Sequence, residues 1–178
     1  MTSFRQRHSA RARLAPALVA LAISLVIRAP IAAAQSAIPL TIIRPDGVTR
    51  VLAPAELATL PRLVRRADPR DSVRTFGGYD LRAVLQLAGI RTDSLRGGEL
   101  RRAIRLTAAD GYAVVIALSE IDPTLGGRRV LVADEENGEP LPLDARPRRV
   151  VVEGDGRPAR WIRQLTTITV LDLLPPPP

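Results

Sequence analysis

Four turn signals punctuate this chain: Pro45-Asp46-Gly47, Asp110-Gly111, Asn137-Gly138 and Gly154-Asp155-Gly156, set among short runs rich in Val, Ile, Leu and Thr. Asp-Gly and Asn-Gly pairs favour the positive-φ turns that reverse one strand onto the next, so the pattern dictates short strands rather than long helices. Residues 38–44 and 48–52 read as one hairpin, and residues 101–107 and 112–118 as another. Residues 129–133, 148–152 and 164–171 add further strands. Pro54 opens a short helix over residues 54–60. Asp80 caps a second helix whose apolar positions, Leu81, Val84, Leu85 and Ala88, recur at helical spacing until Gly89 closes it. Residues 119–122 make a single helical turn, and residues 61–75, which lack periodicity, are expected to form an exposed connection. The expected class is α+β, dominated by mixed or antiparallel sheet.

The first 36 residues read as a secretory signal peptide. Arg5, Arg7, Arg11 and Arg13 form a basic start without acids, residues 14–27 are apolar, and Ala32-Ala33-Ala34 offers a cleavage site before Gln35. The apolar run is short for a membrane span and Arg28 ends it, so no stable span is expected after cleavage. The mature domain is expected over residues 37–172, followed by a proline-rich tail at 173–178, in the periplasm or secreted. No cysteine is present, so an exported domain must rest on its hydrophobic core without disulfides. One domain of this size buries such a core.

Charge narrows the partners. The whole chain carries +8, from 26 arginines and no lysine against 18 acids. Five of those arginines precede Gln35, which leaves 21 against 18, or +3, for the mature part. With only Phe76, Tyr79, Tyr112 and Trp161 as aromatics, this lacks the basic, stacking surface of a nucleic-acid binder. Beyond Gln35 there is also no His, Lys or Met. Imidazole bases, thiolate nucleophiles, Schiff-base lysines and soft metal ligands are all excluded. Carboxylates, guanidiniums, hydroxyls and one indole remain, a set suited to binding, with no catalytic residue and no metal ligand expected.

Two groups are candidate ligand contacts. Arg146, Arg148, Arg149, Arg157, Arg160 and Arg163 surround Trp161, and guanidinium forks suit phosphate or carboxylate. Side chains alternate along a strand, so Arg148 and Arg149 face opposite ways. Arg149 and Arg160 are the pair expected to join Trp161, the other arginines being read as a solvated face. Asp110 and Tyr112 flank a turn glycine, either as a plain hairpin with a core tyrosine or as a ligand rim. The acidic run Asp134-Glu135-Glu136-Asn137-Gly138-Glu139 reads as a charged hairpin tip rather than a calcium loop.

Taken in order, Phe76-Gly77-Gly78-Tyr79-Asp80-Leu81 with Leu85 and Ala88-Gly89, then Ala109-Asp110-Gly111-Tyr112, Asn137-Gly138-Glu139-Pro140-Leu141, Pro147-Arg148-Arg149-Val150-Val151-Val152 and Arg160-Trp161-Ile162-Arg163 resemble the oxidoreductase molybdopterin-binding domain of the sulfite oxidase family. The resemblance runs over roughly residues 38–170. It implies the α+β sulfite-oxidase fold and, in active relatives, molybdenum held by a pterin dithiolene and one cysteine. That cysteine would fall between the first helix and Phe76, where residues 60–75 contain none. Arg149 matches the family's basic position, while Arg146 and Glu153 replace a glycine and a proline beside it.

Export points the same way. Thr2-Ser3-Phe4-Arg5-Gln6-Arg7 has no adjacent arginine pair, so the signal is of the general secretory type rather than the twin-arginine type that carries folded holoenzymes. The sequence-level expectation is a periplasmic, non-catalytic module without cofactor that binds a small anionic ligand or an envelope protein partner. The alternative is a molybdopterin-dependent oxidoreductase in which an oxygen ligand such as Asp110, or water, replaces cysteine. A third reading gives the proline tail and hairpin edges a part in assembly.

Overall fold

A computed structural model describes residues 38–66 and 74–173. The segment read as a signal peptide, residues 67–73 of the expected connection and all but the first residue of the proline-rich tail lie outside the described residues. The architecture is mixed α+β, with two mostly antiparallel sheets and few helices.

The first sheet grows from the two hairpins. Strands β1 (Leu40–Ile43) and β2 (Thr49–Leu52) pair antiparallel. Asp46 accepts a bond from the Val48 amide (3.1 Å), and Gly47 takes φ +79° in the turn between them. β5 (Arg102–Ala108) and β6 (Ala113–Ala117) pair through a turn in which Gly111 has φ +87°. The last strand, β10 (Leu165–Asp172), enters between the hairpins, parallel to β1 and antiparallel to β5. The order is therefore β2-β1-β10-β5-β6.

The second sheet holds the remaining strands, β3 (Arg62–Arg66), β4 (Thr75–Asp80), β7 (Val130–Glu136) and β8 (Glu139–Pro140), with β9 (Arg149–Val152) also paired to β7. Part of this departs from the sequence reading. Arg62–Arg66 is an edge strand, not a connection: its register on β4 runs from Arg62 opposite Tyr79 to Arg66 opposite Thr75. Three arginines in five residues mask the alternation, and such charge is what keeps an edge from pairing with other chains. The acidic run is the hairpin tip expected of it, β7 turning back onto β8 with Glu136 opposite Glu139. Asp134, Glu135 and Glu136 belong to β7, and the turn proper is Asn137 (φ +54°) with Gly138 (φ +81°).

β4 is the central surprise, because Phe-Gly-Gly-Tyr has poor strand propensity. Its reason is steric. A Cβ at position 78 would lie 2.2 Å from the Val132 carbonyl oxygen and 2.6 Å from Ala133 Cα, beside a register shift in the β4–β7 pairing. Only glycine allows that approach.

The helices are short. α1 (Pro54–Leu57) starts at a proline, and the Glu56 carboxylate accepts the Ala53 amide (2.9 Å). α2 (Leu81–Leu87) has Asp80 as cap, accepting the Arg82 amide (2.9 Å), buries Leu81, Val84 and Leu85, and stops at Gly89 (φ +79°). α3 (Leu118–Ile121) buries Leu118 and Ile121. One apolar cluster, from Leu40 and Ile42 through Phe76, Leu106 and Val150 to Ile168, receives residues from both sheets. No helix among the described residues is long and apolar enough to cross a membrane.

Candidate functional site

Strand β9 reads Arg-Val-Val-Val and every residue of it is buried, so its arginine does not reach water as surface arginines do. Arg149 is 7% exposed. Its guanidinium carbon lies 5.3 Å from the ring centre of Phe76 and 5.7 Å from that of Trp161. The two rings meet edge to face, 5.9 Å apart at 87°, a favoured aromatic geometry. Trp161 is fixed further by its indole N–H, which donates to the Val152 carbonyl (3.2 Å). Glu136 stands 3.9 Å from the Arg149 guanidinium, whose Nε is buried without a partner. Burial pushes the Arg149 pKa below its ordinary value, the charge of Arg163 adds to that, and Glu136 opposes it.

The other expected contacts are placed differently. Arg160 is turned to its own acids: Nη2 meets Asp155 at 2.6 Å, Nε meets the second Asp155 oxygen at 3.0 Å, and Nη1 meets Glu120 at 3.3 Å. Arg128 joins the same two carboxylates, at 3.4 and 3.3 Å. Chiefly through the Asp155 bonds, the Arg160 pKa is raised. Tyr112 is not a core residue; it is 54% exposed, and its hydroxyl donates to the Ala159 carbonyl (3.2 Å). Asp110 closes its own turn by accepting the Tyr112 amide (2.9 Å). The structure thus brings Arg149 and Trp161 together and sets Tyr112 beside Ala159. Asp110 and Arg160 serve turn and ion-pair geometry.

Arg148, set aside in the sequence because it faces away from Arg149, is not part of a solvated face either. It is 5% exposed. Nη2 donates to the Ile38 carbonyl, while Nη1 is buried with no hydrogen-bond partner. Burial lowers its pKa, and Asp134 and Tyr79 oppose the shift. Arg148 helps to line an open cavity of about 350 Å³ together with Tyr79, Asp134, Leu57, Ala58 and Pro147. Asp134 is engaged by Arg62, at 2.7 and 3.3 Å, and a second Arg62 bond of 2.7 Å reaches Glu135. Those bonds raise the Arg62 pKa, with Asp134 the leading cause. The Arg62 guanidinium also lies 5.8 Å from the Tyr79 ring centre. The signal in the sequence was the doublet itself: two arginines entering a Val-Val-Val strand that is covered on both faces send one cation to each side.

Among the described residues, no group of three or more His, Cys, Asp or Glu side chains is placed to hold a metal ion. No family model matches the chain, and no curated protein matches it.

Proposed function

We propose that this chain is an exported, non-catalytic binding module, built on the frame of the molybdopterin-binding domain that it resembles but serving a small anionic ligand other than the pterin, in the periplasm or outside the cell. The state of Arg149 carries this reading. At the position where the resemblance implies a pterin contact, the guanidinium is sealed between Phe76 and Trp161 and set against the protein's own Glu136. An arginine so enclosed is a core cation.

The donor set supports the same conclusion. A molybdenum dithiolene centre of the implied kind takes one protein thiolate, a soft ligand for which carboxylates and hydroxyls are poor substitutes. The chain has no cysteine. Asp110, the oxygen ligand of the alternative reading, is exposed and already accepts the Tyr112 amide. The residues present do not fit the cofactor. The coarse fold, two mostly antiparallel sheets with few helices, is compatible with the resemblance.

Titration with a phosphorylated pterin tests the reading. Arg149→Met is expected to keep the fold, because the carboxylate it deserts, Glu136, is still met by Arg74 at 3.5 Å and is not left as an unpaired buried charge. Neither wild type nor variant should bind the pterin saturably. A saturable complex weakened about tenfold or more by Arg149→Met, a loss of roughly 1.4 kcal/mol, would make Arg149 a ligand contact and overturn the proposal.

A further inference from the structure

The two arginines that enter β9 differ in what meets their charge. Arg149 has two rings and Glu136. Arg148 has a single bond to the Ile38 carbonyl and a buried Nη1 that bonds to nothing. A buried donor without an acceptor is destabilising in proportion to the hydrogen bond it lacks, so natural folds leave few of them. This one belongs to a side chain that lines an open cavity of about 350 Å³, within the size range of small-ligand sites.

From this arrangement we infer that the Arg148 cavity is the seat of the anionic ligand, and that the ligand is a monocarboxylate with a small apolar body. The inference rests on the binding-module reading and deepens it. A carboxylate oxygen supplies the acceptor that Nη1 lacks, in a charge-assisted bond. Because Nη1 is shut off from water, the contact needs the planar guanidinium to swing toward the cavity, a rotation that gives up the Nη2 bond to the Ile38 carbonyl and is offset by the charge-assisted bond to the carboxylate. Tyr79 lines the same wall, and Leu57, Ala58 and Pro147 offer apolar surface to the rest of the molecule. Asp134 sets the charge limit. Both its oxygens are held by Arg62, so it does not serve Arg148 as a bonded counter-ion. Its negative charge still lines the cavity, and a dianion such as phosphate meets repulsion that a monoanion meets less.

Calorimetric titration of the exported protein with acetate, hexanoate and phenylacetate tests this, with 2-phenylethanol as the uncharged match and inorganic phosphate as the dianion. Hexanoate or phenylacetate should bind saturably, and 2-phenylethanol and phosphate at least about tenfold more weakly. Arg148→Met should weaken the carboxylate about tenfold or more. Ala58→Trp, which fills the cavity from the exposed C-terminal cap of α1 and leaves Arg148 in place, should do the same. Arg157→Gln, at an exposed turn, should bind as wild type. If Arg148→Met does not fold, Ala58→Trp decides. Failure of all three carboxylates to bind tighter than about 1 mM, or binding that Ala58→Trp and a folded Arg148→Met leave unchanged, overturns the inference. So does phosphate binding as tightly as the carboxylates. None of these outcomes bears on the pterin titration, which tests the module reading separately.

Discussion

Asp122 shows how one buried carboxylate organises this protein. It is fully buried, and burial alone raises a carboxyl pKa. Amide donors from Leu95, Thr124 and Ser94 and the Thr124 hydroxyl outweigh that, and the net shift is downward. A carboxyl held below its unfolded value of about 3.9 adds stability that is fully present above that pH and is lost as pH falls through the folded value. Urea midpoints measured from pH 7 down to pH 2 should therefore fall more steeply below about pH 4 for wild type than for Asp122→Asn, which has no such charge to lose. Parallel curves would show that the carboxylate is not the acid-sensitive group. Trp161 is the other residue on which much depends. Edge-on to Phe76, over Arg149 and bonded to Val152, it should destabilise the domain by about 3–5 kcal/mol when cut to alanine. An unchanged melting temperature would mean that the ring is no part of the core.

At the scale of elements, what the sequence revealed depended on how local the cause was. Both hairpins of the first sheet, the Asp80 cap of α2 and its Gly89 stop are written in neighbouring residues, and they appear where those residues predict. β3 and β4 are not local. The first is an arginine-rich edge whose pattern is hidden by charge, and the second is a glycine strand whose reason is the backbone of β7 passing within 2.2 Å of a would-be Cβ. The same holds for the candidate site. Arg149 and Trp161 could be paired from their sequence neighbourhood, but the unbonded Nη1 of Arg148 depends on Ile38, Tyr79 and Asp134, which are distant in the chain. Gly78→Ala tests the strand argument. The clash is with backbone atoms that cannot rotate away, so the loss should reach the upper end of the roughly 1–3 kcal/mol usual for overpacking, or exceed it. Gly138→Ala serves as a contrast. A Cβ there meets nothing within 4 Å, and only the positive-φ strain remains, of order 1 kcal/mol. Equal losses at the two sites would refute the close-approach argument for β4.

At the scale of the whole molecule three features meet: a chain without cysteine, an arginine enclosed by its own core at the position that resembles a cofactor contact, and a neighbouring arginine with an unmet donor at a cavity. Together they support the proposed module: a donor set without a soft ligand for molybdenum, and a cavity lined by a buried cation. The most direct test is elemental and pterin analysis of the protein purified from the envelope of molybdenum-replete cells, alongside the same chain retained in the cytoplasm, where cofactor insertion is possible. The account predicts no stoichiometric molybdenum and no pterin in either preparation. Stoichiometric molybdenum with its pterin, in the exported or the retained protein, would contradict it.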